Sequence, residues 1–278
     1  MTSLQHRPGE RRRVSLGDHG LQVGDGEFLV IGGPCSVESR DGLLRIAQGV
    51  ADGGAAMLRG GAFKPRTSPH SFQGLGDEGL VLLADARARV GLPIVTEVLD
   101  VRDVARVAAV TDLIQVGARN MANGGLLREV ARTGKPVLLK RGFGATVQEL
   151  LDAAEYLLVE GNEDVLLVER GIRTFETATR FTLDIAAIPV LRERTHLPIL
   201  MDPSHAAGVA RWVPDLARAA AAVGADGIMV EVHDAPGSAL SDAEQALSVE
   251  QFAGLVTSLD PILEAVGARR SSVSLSVS

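Results

Sequence analysis

The sequence is poor in cysteine, in aromatic residues and in long apolar runs. Cys35 is the one cysteine in 278 residues, so no intrachain disulfide can form, and aromatic residues make up only 3%. So few rings disfavour the stacking surface on which single-stranded nucleic acids bind. No apolar run approaches the ~18 residues of a membrane span, and residues 1–13 lack the apolar stretch of a signal peptide. These absences predict a cytoplasmic protein that contacts neither a nucleic acid nor a membrane.

Acidic residues outnumber basic ones in this chain. There are 35 Asp and Glu against 28 Lys and Arg, which gives a net charge of −7 and a pI of about 5.4. This balance disfavours binding to polyanions such as nucleic acids or anionic membranes. A local group of Arg and Lys in such a chain therefore indicates a site for a small anion.

Eight short apolar runs are spread along the chain, and nearly every one ends at a charged or metal-capable residue. Continuous Val, Ile and Leu runs are typical of parallel strands buried on both faces. Eight of them in 278 residues predict one (β/α)8 TIM barrel, for which about 250 residues are usual. The alternative is an open doubly wound sheet, but the chain leaves no room for a second domain. The runs cover residues 28–33, 55–60, 93–98, 112–117, 136–140, 164–169, 198–202 and 226–231.

The barrel is expected to carry short extensions at both ends. Polar, basic residues 1–14 predict a loose arm, and the glycine turns in residues 15–27 predict a small hairpin that closes the barrel bottom. We expect the single catalytic barrel to span residues 15–267, with residues 268–278 as a disordered tail. One of the predicted barrel helices covers residues 181–195.

Four metal-capable residues follow strands that meet where a barrel closes. Cys35 follows the first strand, His205 follows the seventh, Glu231 ends the eighth and Asp242 follows the eighth. One thiolate, one imidazole and two carboxylates can hold Mn²⁺, Fe²⁺, Co²⁺ or Zn²⁺. Simpler interpretations remain: Cys35 as a buried apolar residue, and Asp242 as a helix N-cap. His233 is a further candidate ligand, and a solvated loop histidine is the alternative for it.

Cations also gather at the predicted strand ends. A charge held next to an apolar core costs free energy unless a counter-ion is supplied, so these positions favour an anionic ligand over mere solvation. Backbone N–H groups of Gly117, Ala118 and Arg119 add possible donors to an anion. The number of cations predicts two anionic substrates, or one with both phosphate and carboxylate. The cations are Arg59, Lys64, Arg66, Arg119, Lys140 and Arg170.

Eight motifs in this order resemble one enzyme family. Over about residues 15–257 the chain is similar to 3-deoxy-D-arabino-heptulosonate 7-phosphate (DAHP) synthase, type I beta subgroup, which shares ancestry with 3-deoxy-D-manno-octulosonate 8-phosphate synthase. The resemblance implies a metal-dependent condensation of phosphoenolpyruvate with erythrose 4-phosphate, the first step of the shikimate pathway. It also implies a homo-oligomer, either a dimer or a tetramer. The motifs are GPCSVES, GGAFKPRTSPHSFQGLG, QVGARNM, LLKRG, ERGIRTFE, DPSHAAG, EVH and ALSDAEQ.

The resemblance also implies roles for individual residues. The metal ligands would be Cys35, His205, Glu231 and Asp242. The phosphoenolpyruvate contacts would be Arg59, Lys64, Arg119, Lys140 and Arg170. The run Lys64, Pro65, Arg66 and Thr67 would be the erythrose 4-phosphate loop. Lys64, His205 and Cys35 are the candidate catalytic residues, with Lys64 as the candidate proton donor and His205 as a candidate proton relay.

The chain departs from the family pattern at a few positions near these motifs. His70 stands where the subgroup usually has Tyr, and Phe143 and Gly144 replace the more usual Met-Ser. Ala178 and Phe181 replace Tyr and Asn. None of these departures removes a ligand or an anion contact, so they bear on substrate fit and oligomer packing.

Two other functions compete with this interpretation. The octulosonate synthase takes arabinose 5-phosphate and has an Asn-containing run at the corresponding loop, where this chain has Arg66 and Thr67. That difference favours the four-carbon sugar. A catalytically silent barrel that acts as a binding partner is the other alternative, and the intact ligand set argues against it.

Overall fold

The computed structural model describes residues 10–17, 20–64 and 70–272. A short antiparallel hairpin comes first and is followed by eight parallel strands. Each barrel strand pairs with the next, and the last, β10, pairs with the first, β3, so the sheet closes. This closure confirms the predicted (β/α)8 barrel and excludes the open sheet. The hairpin is β1 (Val14–Leu16) and β2 (Leu21–Val23), and the barrel strands are β3 (Glu27–Gly33), β4 (Met57–Arg59), β5 (Ile94–Val98), β6 (Leu113–Val116), β7 (Val137–Lys140), β8 (Val165–Glu169), β9 (Ile199–Met201) and β10 (Gly227–Glu231).

The hairpin closes one end of the barrel, as the sequence predicted. Its buried Val14, Leu16, Leu21 and Val23 belong to the same apolar cluster as the inward-facing side chains of the barrel strands, including Leu29. The outward-facing side chains of the strands pack instead against the surrounding helices, in a second and larger cluster. The alternation of inward and outward side chains follows from the two-residue period of a strand.

The expected loose arm is wrong for residues 10–14. β1 begins at Val14, and the two residues Arg11 and Arg12 reach Asp226 and Asp164, each at 2.8 Å. These ion pairs attach the segment to the barrel, which the basic composition alone did not indicate. Residues 1–9 lie outside the described part of the chain.

The helices lie between the strands and cover the outside of the barrel. Helices α5 and α9 begin with capping boxes, at Thr146 and Ser248 respectively. None of the described helices is long and apolar enough to cross a lipid bilayer. The helices are α1 (Arg40–Asp52), α2 (Asp77–Val90), α3 (Val104–Ala108), α4 (Gly124–Arg132), α5 (Val147–Val159), α6 (Ala187–Arg194), α7 (Pro203–Ala207), α8 (Val213–Ala222) and α9 (Val249–Ala265).

Two predicted boundaries are wrong. The helix expected over residues 181–195 begins only at Ala187, because Thr182 forms an antiparallel bridge with Ile172 and is extended there. The expected disordered tail, residues 268–278, contains β11 (Arg269–Arg270), which pairs with the start of β3. Neighbouring barrel strands pair with β3 only from Leu29 onward, so its first residues are free to bind this segment. Residues 273–278 lie outside the described part.

Candidate active site

A cavity of about 230 Å³ opens at the carboxyl ends of the barrel strands. Strand ends place the polar residues there: Arg59 ends β4, Lys140 ends β7 and Arg170 follows β8. This is the face on which barrels of this type build their active sites. Of the predicted substrate-binding residues, those that line the cavity are Arg59, Lys64, Gly117, Ala118, Arg119, Lys140 and Arg170. The other three, Pro65, Arg66 and Thr67, lie outside the described residues.

The four predicted metal ligands converge at one side of this cavity. The ligand atoms of Cys35, His205, Glu231 and Asp242 all lie within 4.8 Å of one another. The close approach of β3 and β4 helps to bring them together, because a Cβ on Gly33 would lie 2.1 Å from the Arg59 carbonyl oxygen. A residue with a side chain at position 33 would push the start of the Cys35 loop away from the cluster.

One carboxylate oxygen of this cluster, Glu231 Oε1, is buried and accepts no hydrogen bond from a described atom. Glu231 is fully buried, and its Oε2 accepts a hydrogen bond from Gln245 Nε2 at 2.6 Å. Its Oε1 lies 3.1 Å from Arg59 Nη1 and 3.3 Å from His205 Nε2, yet it is in hydrogen-bonding geometry with no described atom. A buried acceptor without a partner is costly. Together with a thiol and an imidazole at the same point, it fits a site for a divalent transition metal.

His205 is oriented by a residue that the sequence did not single out, Asp202. The Asp202 carboxylate accepts from the His205 backbone N–H at 3.0 Å, and its Oδ2 lies 2.7 Å from His205 Nδ1. Lys140 Nζ lies 2.5 Å from the same oxygen. Burial lowers the pKa of His205, despite the opposing charge of Asp202, so the neutral ring is favoured. With its proton on Nδ1, the ring presents the lone pair of Nε2 to the cluster, as second-shell carboxylates do at metal sites.

The Cys35 thiol lies between an ammonium and a carboxylate. Lys64 Nζ is 3.0 Å from Cys35 Sγ and donates to the Cys35 carbonyl at 2.9 Å, and Asp242 Oδ2 is 3.0 Å from the sulfur. Burial first, and the charge of Glu231 second, raise the pKa of this thiol well above its ordinary value. A cation in the cluster would favour the thiolate, because thiol ligands deprotonate when they bind metal.

Asp242 does not cap a helix. It has a left-handed backbone (φ 52°), and its side chain accepts no capping hydrogen bond. One carboxylate oxygen lies against Cys35 and the other pairs with Arg180 Nη1 at 3.0 Å. His233 lies outside the four-residue cluster and accepts from the Ala235 N–H at 3.0 Å.

Seven cations line the cavity among the described residues, and they differ in whether a carboxylate neutralises them. Lys140 and Arg59 are buried and pair with the carboxylates of Asp202 and Glu231. Arg170 is only 4% exposed and pairs with no described carboxylate, and its Nη1 has no hydrogen-bond partner. Burial lowers the pKa of Arg170 to about 10, so it stays charged at neutral pH. The seven are Arg59, Lys64, Arg119, Lys140, Arg170, Arg173 and Arg180.

Sequence reasoning missed two of these cations and the aromatic residues beside them. Arg173 and Arg180 lie in the segment between β8 and α6, and Phe143 and Phe181 also line the cavity. A usable signal existed for Arg173, since it lies three residues after the predicted strand-end residue Arg170. The contact between the two rings could not be read from residues 38 positions apart (181 minus 143).

Comparison with known proteins decides the family. The model of the DAHP synthetase I family matches residues 11–265. The chain belongs to the DAHP synthetase I family. It is 51% identical over 256 residues to phospho-2-dehydro-3-deoxyheptonate aldolase of Thermotoga maritima, covering 92% of this chain and 75% of that relative. It is 35% identical over 258 residues to 2-dehydro-3-deoxyphosphooctonate aldolase of Syntrophobacter fumaroxidans, covering 86% of this chain and 88% of that one.

Solved structures agree with this membership. The crystal structure of the Thermotoga maritima DAHP synthase matches with a TM-score of 0.90 and 49% identity, over 94% of this chain and 75% of that one. A truncated form of the same enzyme matches with a TM-score of 0.87 and 46% identity, over 95% and 96% of the two chains. The resemblance stated from the motifs is therefore confirmed, and the DAHP synthetase I family accounts for the barrel with its hairpin.

Proposed function

We propose that this chain condenses phosphoenolpyruvate with D-erythrose 4-phosphate and water, giving 3-deoxy-D-arabino-heptulosonate 7-phosphate and phosphate. This is the first step of the shikimate pathway. The observation that carries the proposal is the position of the Cys35, His205, Glu231 and Asp242 cluster at the edge of a cavity lined by seven cations. The two substrates bring two phosphates and one carboxylate, and the cation-rich lining supports both.

The cluster would hold a divalent metal ion through Cys35 Sγ, His205 Nε2, Glu231 Oε1 and a carboxylate oxygen of Asp242. Mn²⁺, Fe²⁺, Co²⁺ and Zn²⁺ all suit such a mixed donor set. When bound, the ion supplies a Lewis acid for the aldehyde oxygen of the sugar. The Oε1 of Glu231, which no described atom hydrogen-bonds, supports this assignment.

The cations bind and align the two substrates. Arg170 has a free N–H group at the cavity, and an Arg fork binds phosphate in bidentate fashion. We assign Arg59, Lys64, Arg119, Lys140 and Arg170 to the phosphoenolpyruvate. Holding both reactants in line can supply on the order of 7–11 kcal/mol of the barrier.

The reaction then needs one carbon–carbon bond, one water and one proton donor. C3 of phosphoenolpyruvate bonds to the aldehyde carbon, and water adds at C2. The C2–O bond to phosphate then breaks, and the added water oxygen gives up both of its protons and remains as the ketone oxygen. One of these protons leaves with the phosphate, and the other balances the proton that the aldehyde oxygen takes up. The aldehyde oxygen takes up a proton to become a hydroxyl. We assign that proton to Lys64, whose Nζ lies 3.0 Å from Cys35 Sγ and so beside the cluster.

Substrate choice is expected to depend on the loop after β4. Residues 65–69 lie outside the described part of the chain, and the prolines at positions 65 and 69 make a restricted presentation of Arg66 and Thr67 a prediction from the sequence. We expect erythrose 4-phosphate to be preferred over arabinose 5-phosphate in kcat/KM. Arg66→Ala should raise KM for the sugar phosphate by roughly ten- to a hundredfold, since a charge-assisted hydrogen bond contributes about 1.5–3 kcal/mol. Steady-state kinetics with both sugars measures this.

The control is KM for phosphoenolpyruvate, which should change little in the same variant. Turnover of arabinose 5-phosphate as fast as that of erythrose 4-phosphate would favour the second candidate function, which the 35% identical octulosonate aldolase represents. An Arg66→Ala effect confined to phosphoenolpyruvate would refute the assignment of the loop. Absence of phosphate release with either sugar would favour a silent barrel.

We further propose that the chain forms a homo-oligomer, a dimer or a tetramer. The proposal rests on the family resemblance. Light scattering coupled to size-exclusion chromatography measures the mass directly, and a monomer of 29.2 kDa as the sole species would contradict it.

A further inference from the structure

Two phenylalanine rings form a stacked pair in the wall of the cavity. The ring centroids of Phe143 and Phe181 lie 5.2 Å apart, with 13° between the ring planes. Aromatic rings in such contact are held by about 0.5–1.5 kcal/mol beyond their apolar burial. The pair joins the loop after β7 to the segment before α6, two parts of the chain that have no strand pairing between them.

Three arginines of the cavity lie over these rings. The guanidinium carbon of Arg170 is 4.2 Å from the Phe181 centroid and 4.9 Å from that of Phe143. Those of Arg119 and Arg173 are 5.3 Å and 5.6 Å from the Phe143 centroid. All four distances fall within the ~6 Å at which a cation is attracted to a ring face.

Main-chain hydrogen bonds fix the rings in place. The Phe143 carbonyl accepts from the Arg173 N–H at 2.7 Å, and the Phe181 N–H donates to the Ala206 carbonyl at 2.9 Å. Gly171 has φ 91°, and a Cβ there would lie 2.6 Å from Phe181 Cβ. Because this glycine has no side chain, Phe181 can pack against the backbone of the residue that follows Arg170.

The way these arginines are held differs from that of a neighbouring arginine. Arg141 is as buried as Arg170, whereas Arg119 and Arg173 are exposed. The Nη1 of Arg141 donates to Glu169 at 2.7 Å and to Asp184 at 2.9 Å. Arg119, Arg170 and Arg173 pair with no carboxylate among the described residues. A carboxylate would occupy the N–H groups and neutralise the charge, whereas a ring face attracts the cation and leaves its N–H donors free.

We propose that the stacked Phe143–Phe181 pair is a positioning element of the phosphoenolpyruvate site. Its ring faces hold Arg119, Arg170 and Arg173 with their N–H donors directed to an anion. This inference rests on the proposed function, because it assigns the anion to phosphoenolpyruvate. Both phenylalanines are assigned a role through the arginines that they contact, so they are positioning residues in this proposal.

The test compares Phe143→Leu and Phe181→Leu with two reference variants. Phe143→Tyr keeps a ring face, and Phe175→Leu removes a ring that is 98% exposed in the same segment as Phe181. Calorimetry measures the Kd for phosphoenolpyruvate and for inorganic phosphate, and kinetics gives KM for each substrate and kcat. We expect each Leu variant to raise Kd and KM for phosphoenolpyruvate about two- to thirtyfold, the range that corresponds to one weakened cation–π contact. kcat and KM for erythrose 4-phosphate should stay within about twofold, and both reference variants should resemble the wild type.

The outcomes separate this inference from the function on which it rests. Wild-type protein that binds no phosphoenolpyruvate contradicts both. Wild-type binding with an unchanged Kd in both Leu variants contradicts the positioning role alone. So does a loss of affinity in Phe143→Tyr as large as in Phe143→Leu, because a ring face would then not be the feature that matters. A lowered Tm with unchanged KM would assign the pair to folding only, against the proposal.

Discussion

Removal of the divalent metal with a strong chelator abolishes phosphate release, and added Mn²⁺ or Co²⁺ restores it. This result is expected because four donor atoms of metal-binding type lie within 4.8 Å of one another and one of them, Glu231 Oε1, is a buried acceptor that no described atom hydrogen-bonds. Without a cation, burial favours the neutral Cys35 thiol, whose pKa it raises. Activity assays before and after chelation, with the metal content measured in parallel, give the result.

Cys35→Ser separates metal binding from folding. Changes in the residues that orient metal ligands typically cost about 10–100-fold in affinity, so loss of the thiolate ligand should cost at least about a hundredfold. The serine is nearly isosteric, and Cys35 follows β3 rather than lying in it, so the unfolding transition should change little. His233→Gln is the matched control, since His233 is a neighbouring histidine outside the cluster. Full activity in the chelated, metal-free wild type would contradict the assignment, as would unchanged metal affinity in Cys35→Ser.

Arg170→Met should lower kcat/KM without lowering the free energy of unfolding, whereas Arg141→Met should mainly lower the free energy of unfolding. Both arginines are 4% exposed, but Arg170 has an N–H group without a partner, whereas Arg141 pairs with Glu169 and Asp184. Arg170→Met removes a cation that we assign to phosphoenolpyruvate, so kcat/KM should fall about ten- to a hundredfold. Its free energy of unfolding should be unchanged or higher, because a desolvated charge is lost.

Arg141→Met instead leaves the buried Glu169 carboxylate unpaired. Loss of one partner of a buried ion pair typically destabilises a protein by about 3–5 kcal/mol. Urea unfolding of both variants, with kinetics at a temperature where both are folded, measures the contrast. Equal destabilisation of the two variants, or a larger loss of kcat/KM in Arg141→Met, would refute the division between substrate-binding and structural arginines.

The barrel could be predicted because its strands are buried on both faces. β8 is buried at all five of its positions, and such a strand appears in the sequence as an unbroken apolar run. The ends of these runs also located the site, since Lys140 and Glu231 are the last residues of β7 and β10. Strand ends that the fold must bring to one face can be recognised without any knowledge of side-chain contacts.

The parts that could not be predicted depend on contacts between distant segments. β11 forms because the first residues of β3 lack barrel partners, which no local pattern reveals. α6 starts late because Thr182 pairs with Ile172, although the residues from 181 onward have a helical pattern. The sequence marks Phe143 and Phe181 only as departures from the family pattern, since their role depends on stacking across the cavity.

The central claim is that this chain joins phosphoenolpyruvate to erythrose 4-phosphate with cleavage of the C–O bond. One measurement tests it most directly: mass spectrometry of the products formed from phosphoenolpyruvate labelled with oxygen-18 in the bridge between C2 and phosphorus. The metal-loaded protein with erythrose 4-phosphate should release phosphate that carries the label, together with an equal amount of the seven-carbon product. Release of unlabelled phosphate, or release that does not require the sugar phosphate, would contradict the account.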